Sequence, residues 1–347
     1  MNYVGLDIGG ANIKVSDARG HSGSRPFALW KYPDRLSEAL EQLLEDCITN
    51  SGMIPADAFA VTMTGELADC FRTKAEGVDR ILSTVERIAG DRPIRVWQMG
   101  GEFVTPDEAR DTPLLVAAAN WHLLSTYAGR FVPEGTAIMI DIGSTTTDII
   151  PLEQGLPASA GLTDRERLAS GELVYTGISR TPICAVCREV RLGTSRVSFA
   201  AELFATMRDV YLWQRRCDED AADCDTANDR PATRHEAADR LARMICCDRT
   251  EITDAELDDM TLQISQSQRS LIHEGLDRVF GRLNEAPHMV LISGTGEFLA
   301  RDIVEHDPRF SSIELVSLTA AFGKRTSAAA CAHAAACLAH ERLGNFP

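Results

Sequence analysis

Three short segments of this sequence combine glycines with carboxylates or hydroxyls, in patterns that could bind a phosphate group and a divalent cation. The first runs from Asp7 to Lys14, with Gly9 and Gly10 at a tight turn and the amide of Asn12 behind them. Glycines let backbone N–H groups face an anion, and a carboxylate at a strand end can hold hydrated Mg²⁺. Asp7 is thus a candidate catalytic and magnesium-facing residue, and Lys14 a candidate to offset phosphate charge, although the segment alone is equally typical of a plain glycine hairpin.

The second segment, from Asp141 to Asp148, opens with the same Asp-x-Gly pattern and continues with hydroxyl side chains. Its candidate phosphate-binding residues are Gly143, Ser144, Thr145 and Thr146. Asp141 is a second candidate for a catalytic, magnesium-facing carboxylate. Because side chains alternate along a strand, only one or two of the three consecutive threonines can face one anion. A threonine-rich β-hairpin without a ligand is the alternative interpretation.

The third segment, residues 292–298, predicts a strand that passes through a glycine-rich turn into a helix. Gly294, Thr295 and Gly296 form this turn, which could admit a nucleoside or another flat group close to the backbone. A strand–helix turn that needs glycine only for its shape explains the segment equally well.

The elements that must position these segments follow an α/β pattern, in which short apolar strands alternate with helical periods. The predicted strands are 3–8, 58–63, 94–97, 136–140, 148–152, 288–292 and 313–316. The predicted helices are 36–48, 78–88, 114–127 and 324–343. Because the strand-Asp-x-Gly pattern occurs twice, about one domain apart, we predict domains at 1–133 and 134–347, the second with a mostly helical insertion at about 198–283.

The charge and cysteine content of the chain limit the classes of partner and substrate that it can bind. The chain has 347 residues, and 51 acidic residues against 35 Lys and Arg give a net charge of −16. A negative field of this size repels nucleic acid. For the same reason, an anionic substrate must be bound by hydrogen-bond donors close to it that overcome the overall charge. The 10 cysteines, with no secretory signal, predict a cytoplasmic protein with reduced thiols. We expect a phosphorylated small-molecule substrate and neither nucleic acid nor membrane as partner, with a homodimer left open.

Two weaker signals concern cysteines and arginines. Cys184 and Cys187 form a single CxxC pair, which lacks a regularly spaced second pair, so we expect no bound zinc. The nearby basic cluster could bind a carboxylate or simply balance charge, and consists of Arg180, Arg188, Arg191 and Arg196. The tryptophans are expected to be core anchors and are Trp30, Trp97, Trp121 and Trp213.

Taken in this order, the three segments resemble the phosphate-1, phosphate-2 and adenosine signatures of the actin, sugar kinase and Hsp70 superfamily. The resemblance implies two ribonuclease-H-like domains that flank a phosphate-binding cleft, with Mg²⁺ and phosphate between Asp7 and Asp141. It also implies that Gly65 lies in a strand-end loop directed toward the cleft.

The 141–149 segment is similar to the hydantoinase/oxoprolinase branch of that superfamily. Residues 171–177 and 180–184 resemble one group within the branch, which is linked to tetrahydromethanopterin-dependent one-carbon metabolism and methanofuran biosynthesis. This resemblance implies a transferase that condenses an aminomethyl-furan-methyl diphosphate with the phenol of γ-glutamyltyramine and releases diphosphate. Mg²⁺ is the implied cofactor, whereas ATP is compatible with the fold but not required.

Such a reaction needs a base for the phenol proton. Glu66, Glu172 and Glu297 are the candidates, and Glu66 is the one we expect to be catalytic. An ATP-dependent small-molecule kinase or ATP-coupled hydrolase is the alternative, and Asp69 could then serve as the base. A nucleotide-switched assembly protein is a third, non-enzymatic interpretation.

Overall fold

Two large β-sheets organise the chain, and the computed structural model describes residues 1–344 of it. The strands are β1 (Tyr3–Ile8), β2 (Asn12–Asp17), β3 (Ser22–Pro26), β4 (Ala58–Met63), β5 (Ile94–Trp97), β6 (Phe103–Val104), β7 (Thr136–Ile142), β8 (Thr147–Glu153), β9 (Leu156–Pro157), β10 (Leu173–Val174), β11 (Glu189–Leu192), β12 (Ser195–Ser198), β13 (Met289–Ser293) and β14 (Glu314–Ser317). The helices are α1 (Leu36–Ser51), α2 (Lys74–Ala89), α3 (Pro106–Asp111), α4 (Pro113–Val116), α5 (Asn120–Ala128), α6 (Asp164–Ser170), α7 (Ile183–Val186), α8 (Met207–Trp213), α9 (Arg234–Arg243), α10 (Asp254–Phe280), α11 (Glu297–His306), α12 (Leu318–Phe322), α13 (Lys324–Ser327) and α14 (Ala330–Leu343).

The two sheets repeat one topology. The first has the order β3-β2-β1-β4-β5-β6 and the second the order β10-β8-β7-β13-β14, with β9 beside β8. In each sheet a central strand pairs antiparallel with the strand that follows it and parallel with a later one: β1 with β2 and β4, and β7 with β8 and β13. This arrangement is the doubled ribonuclease-H-like α/β fold of actin-like ATPases, and the fold class predicted from the sequence is confirmed.

Alternating side chains on the central strands pack into separate hydrophobic cores on the two faces of each sheet. On β1 and β4, Leu6 and Val61 point toward α1 and α2, whereas Ala58 and Ala60 point toward a layer made by α5 and α14. On β7, Ile140 joins the core under α10 and α11, and Met139 faces the same shared layer. This period-two division is what a strand buried on both faces requires. The two sheets therefore share one helical layer between them.

Helix α14 returns from the second half of the chain to the first sheet. Its alanine-rich sequence lets it approach β1 so closely that a Cβ on Gly5 would overlap the carbonyl oxygen of Ala332. The predicted division at residue 133 stays a prediction, but the last helix of residues 134–347 packs on the sheet of residues 1–133. No helix within residues 1–344 is long and apolar enough to cross a membrane.

Two predicted helices are each divided in the structure. The helix predicted at 114–127 is split into α4 and α5 because Ala118 has a φ of 50°, which is incompatible with a continuous right-handed helix. The helix predicted at 324–343 is split into α13 and α14 around Ala329, whose ψ of 31° is also not helical. The predicted helical insertion contains α8, α9 and α10, and most of its acidic segment 218–229 is exposed.

Candidate functional site

Polar side chains meet at the carboxyl ends of the central strands. Asp7 lies near the end of β1 and is paired in register with Thr62 of β4, and Asp141 of β7 is paired in register with Ser293 of β13. Asp7 Oδ1 and Thr62 Oγ1 are buried and have no hydrogen-bond partner among residues 1–344. Native structures leave few buried polar atoms unpaired, so this cluster indicates a place where a ligand completes the hydrogen bonding.

Thr62 is a member of this cluster that the sequence motifs did not include. The signal available in the sequence was a single hydroxyl inside an otherwise apolar strand, residues 58–63, which is buried along its whole length. A buried strand has no need of a hydroxyl there, and only its register beside Asp7 gives it a place in the site.

The charges of Asp7, Lys14 and Asp141 act on one another. Lys14 lies opposite Asp7 in the β1–β2 register, and its Nζ is 3.3 Å from Asp7 Oδ2. Loss of water contact raises the pKa of Asp141 to about 6, the negative charges of Asp148 and Asp7 add to this effect, and the positive charge of Lys14 opposes it. The structure thus brings together the two carboxylates predicted to face Mg²⁺, with Lys14 already paired to one of them.

The first glycine hairpin is open on the side that a ligand would approach. Gly9 N donates to Asn12 O at 2.9 Å, which closes the turn, and Leu29 N donates to Gly10 O at 3.0 Å, which anchors the following loop. A Cβ on Gly10 would meet nothing within 4 Å in the described part of the chain. Gly10 therefore leaves room for a group of atoms beside the backbone, as the phosphate-binding prediction requires.

Residues 176–181 pack against the second hairpin and form hydrogen bonds with its backbone. Ile178 N donates to Gly143 O at 3.1 Å and Arg180 N donates to Ser144 O at 2.9 Å. Thr147 is buried, and its hydroxyl donates to Thr176 O at 2.8 Å, so it faces away from the tip. Ser144, Thr145 and Thr146 stay partly exposed at the tip. As expected from the alternation of side chains, the three threonines do not all face the tip. Thr147 stabilises the hairpin from inside, whereas Thr145 and Thr146 are accessible at the tip.

The glycines of the third segment have a packing role. Gly294 has a φ of +89°, and a Cβ there would lie 2.6 Å from Asp141 Oδ1. A Cβ on Gly296 would lie 2.7 Å from Ile178 Cγ2, so this position supports the second hairpin instead of bordering an open pocket. Thr295 is exposed between them. Ligand binding by Gly294, Thr295 and Gly296 stays a prediction.

The three candidate bases differ in whether their carboxylates are already engaged. Glu172 accepts from Ala160 N at 2.7 Å and from Arg282 Nη2 at 3.0 Å. Glu297 accepts from the hydroxyl of Ser317 and from Thr319 N. Both carboxylates are therefore engaged in stabilising their own loops.

Glu66 is different, because it is only 1% exposed and neither carboxylate oxygen has a hydrogen-bond partner within the described residues. Burial raises its pKa to about 7. The preceding Gly65 lies against the first hairpin, since a Cβ on it would be 3.3 Å from the carbonyl carbon of Gly9. Asp69, the alternative base of a kinase, is exposed to solvent.

Three side-chain contacts join the two halves of the chain around this site. Lys74 Nζ is 3.2 Å from Asp164 Oδ2. The guanidinium carbon of Arg167 lies 4.0 Å from the ring centre of Trp121, while Arg167 Nη2 binds Asp148 Oδ1 at 2.6 Å. In the third contact, the guanidinium carbon of Arg180 lies 4.4 Å from the ring centre of Trp30.

The expectation that all four tryptophans are core anchors is wrong for Trp30. Trp97, Trp121 and Trp213 are buried, whereas Trp30 is half-buried and carries Arg180 on its ring. The physical reason is its position just after Leu29, in the loop anchored on the first hairpin, where one ring face is turned to the other half of the chain.

The CxxC pair makes ordinary hydrogen bonds in the structure. Cys184 Sγ donates to Glu202 O at 3.7 Å and Cys187 Sγ to Glu189 O at 3.0 Å. Over residues 1–344, no group of three or more His, Cys, Asp or Glu side chains is arranged to hold a metal. The absence of tightly bound zinc stays a prediction.

Comparison with known proteins identifies a family. The family model for hydantoinase/oxoprolinase matches residues 57–342. A curated relative from Methanocaldococcus jannaschii, (4-{4-[2-(gamma-L-glutamylamino)ethyl]phenoxymethyl}furan-2-yl)methanamine synthase, is 32% identical over 343 residues and covers 98% of both chains. The synthase of the same name from Methanococcus vannielii is 30% identical over 195 residues, which are 55% of this chain and 85% of that protein.

Among solved structures, the activator of 2-hydroxyisocaproyl-CoA dehydratase from Clostridium difficile, with bound ADPNP, is similar with a TM-score of 0.45 and 12% identity. That similarity covers 99% of this chain and 96% of the activator. The family model covers most of the chain and the Methanocaldococcus relative covers nearly all of it. The chain therefore belongs to the hydantoinase/oxoprolinase family.

Proposed function

We propose that this protein is a biosynthetic transferase that forms an aryl ether between a furan-methyl diphosphate and a phenol, with release of diphosphate. Both archaeal relatives are synthases of a furan methanamine that carries a phenoxymethyl group, and such a product contains this ether bond. The donor is an aminomethyl-furan-methyl diphosphate and the acceptor is γ-glutamyltyramine. Sequence identity over nearly the full length of one relative supports this assignment.

The reaction breaks the bond between the furan-methyl carbon and the diphosphate oxygen, and the electron pair leaves with diphosphate. The phenol oxygen forms the new bond to that carbon and gives up its proton. A furylmethyl carbon tolerates positive charge, so the work of the protein is to stabilise the leaving group and to orient the phenol.

Glu66 is the residue that accepts the phenol proton, and its free carboxylate is the observation that carries the proposal. A general base works best when its pKa is near the working pH, and the pKa of Glu66 is about 7. The preceding residue, Gly65, packs against the first hairpin, and this contact supports a position of Glu66 near the proposed diphosphate site.

The diphosphate end of the donor would bind between the two hairpins. Gly10 and the partly exposed hydroxyls of Ser144, Thr145 and Thr146 supply space and donors there. Mg²⁺ fits the same place, because Asp7 has an unpartnered buried oxygen and the Asp141 carboxylate is near enough for the charges of Asp7 and Lys14 to act on it. Asp7 and Asp141 would hold the ion, which neutralises charge on diphosphate when it is bound.

The test is a direct assay of the purified protein with Mg²⁺, the furan-methyl diphosphate and γ-glutamyltyramine. Mass spectrometry should detect the aryl ether, and a coupled assay should detect one diphosphate released for each ether formed. Glu66→Gln keeps the shape of the side chain but cannot accept the proton, and should reduce the rate about 10²- to 10⁴-fold.

A parallel reaction supplies ATP and the acceptor without the furan donor. Stoichiometric ADP together with a phosphorylated acceptor, and no ether in the first assay, would reject the transferase and favour the kinase. An Asp69→Asn variant distinguishes the two mechanisms further, because the exposed Asp69 has a role only in the kinase.

A further inference from the structure

The proposed diphosphate site lacks an available cation in its first hairpin. Lys14, the residue expected to offset phosphate charge, has its ammonium 3.3 Å from Asp7 Oδ2 and also acts on Asp141. Its single positive charge is therefore shared between two carboxylates. In a protein with a net charge of −16, a leaving diphosphate needs a further local cation to balance it.

Arg180 is a cation of this kind. It is exposed, and no carboxylate of the described chain lies within 4.0 Å of its guanidinium. Its guanidinium lies over the ring of Trp30, with 4.4 Å from the guanidinium carbon to the ring centre. Stacking occupies the face of a guanidinium and leaves the N–H donors in its plane free, and across residues 1–344 none of these donors is hydrogen-bonded.

The stack is anchored to both hairpins at once. Arg180 N donates to Ser144 O at 2.9 Å, at the tip of the second hairpin. Trp30 directly follows Leu29, whose N donates to Gly10 O at 3.0 Å in the first hairpin. Two residues 150 positions apart thus meet beside the two backbone turns that would cradle a phosphate group.

We propose that Arg180 is a diphosphate-binding residue and that Trp30 is the positioning residue that holds its guanidinium over the cleft. The ligand class is an inorganic or organic diphosphate, recognised by charge-assisted, planar hydrogen bonds to its oxygens. The proposal rests on the proposed function for the identity of the organic diphosphate, but the binding of inorganic diphosphate can be measured without turnover.

The experiment is a calorimetric titration of the full chain with inorganic diphosphate in the presence of Mg²⁺. Arg180→Gln should weaken binding about 10- to 100-fold, since it removes a charged donor to an anion, and Arg180→Lys should recover part of the loss. Arg188→Gln is the matched control: Arg188 is also exposed, comes from the same basic cluster, and should change the affinity less than twofold.

The positioning role of Trp30 is tested by comparing a variant that removes the aromatic ring with one that keeps it. Trp30→Leu should weaken diphosphate binding severalfold because the guanidinium loses its platform, and Trp30→Phe should restore it because the aromatic face remains. Equal losses in both Trp30 variants, with unchanged thermal unfolding, would overturn its positioning role.

The outcomes separate this inference from the proposed function. Arg180→Gln binding as tightly as wild type would overturn the role of Arg180, even if the wild type makes the ether. Wild type that fails to bind diphosphate at all would overturn it too. A large loss in Arg180→Gln would support it, even if the furan donor gives no ether and the proposed function fails.

Discussion

At the scale of single residues, the site is a small cluster of charged side chains in which carboxylates outnumber cations. Asp7 and Asp141 share Lys14, and Asp148 adds negative charge that Arg167 partly neutralises. A cluster with more carboxylates than cations attracts a divalent cation and, through it, a phosphate group. Loss of water contact, with the nearby negative charges of Asp148 and Asp7, keeps the pKa of Asp141 above its usual range.

Replacing Asp7 or Asp141 by Asn tests that interpretation. Each change keeps the volume and removes one negative charge, so we expect at least a hundredfold loss of turnover and a weaker response to Mg²⁺, with unchanged circular dichroism. The measurement is the rate of diphosphate release over a Mg²⁺ titration. Normal turnover and normal Mg²⁺ dependence in both variants would remove these residues from the site.

Glu66 predicts a pH dependence of stability as well as of rate. Its pKa rises from 4.5 to about 7 in the folded protein, so folding favours the protonated carboxyl. The stabilisation is complete below pH 4.5 and is lost as the pH rises through 7, a change of about 3 kcal/mol in the free energy of unfolding. The rate should rise over the same range, because only the carboxylate accepts a proton.

The measurement compares urea unfolding of wild type and Glu66→Gln from pH 4.5 to pH 8. The wild type should lose stability relative to the variant as the pH rises, and the difference should have levelled off by pH 8. Parallel curves at every pH would mean that Glu66 is ionised in the folded protein at an ordinary pKa.

At the scale of elements, close backbone packing positions the site. The start of α2 lies so near the loop after β4 that a Cβ on Gly77 would lie 2.6 Å from Glu66 Cα, and this contact helps to bury Glu66. On the other face of the sheet, the missing side chain of Gly5 lets the backbone of α14 pack directly against β1. Glycine at both positions is required by space and not by an unusual φ.

Gly5→Ala should therefore destabilise the fold, because the new methyl would overlap the carbonyl oxygen of Ala332 and push α14 away from β1. Overpacking of this kind costs about 1 to 3 kcal/mol. Urea denaturation measures it, and Gly10→Ala is the matched control, since no described atom lies within 4 Å of its Cβ. Equal stability of the two variants would contradict the close packing of α14.

At the scale of the whole molecule, two sheets share the layer of α5 and α14, and three side-chain contacts bridge them near the site. The Lys74–Asp164 ion pair joins the first turn of α2 to the first residue of α6. Both side chains are only about a quarter exposed, so water weakens the pair less than it weakens a fully exposed one. The pair favours the closed arrangement of the two halves.

Lys74→Met should loosen this bridge while leaving each half folded. Losing an ion pair worth up to about 1 kcal/mol allows up to fivefold faster local opening, which hydrogen exchange of amides in α2 and α6 measures. Arg80→Met breaks the exposed Arg80–Asp34 pair inside the first half and should leave the exchange of α6 amides unchanged, so α6 is where the two variants differ. Faster exchange in both variants alike would mean that the cross-cleft position of Lys74 has no special effect.

The sequence by itself determined the local features of this protein. Strands 58–63 and 94–97 have the predicted bounds, because apolar runs between turn residues form strands wherever they lie. The turns at Gly9–Gly10 and at Gly143 were predictable for the same reason, since a glycine's backbone freedom is a property of the residue.

Only the tertiary structure decided which of these residues work together. The sequence offered Glu66, Glu172 and Glu297 as candidate bases and favoured Glu66, but whether each carboxylate is engaged depends on distant partners such as Arg282 and Ser317. Pairing of Trp30 with Arg180 likewise needs two loops from separate halves to meet. Periodicity and turn preference act over a few neighbouring residues, whereas burial, unsatisfied hydrogen bonds and shifted pKa values arise when distant segments pack.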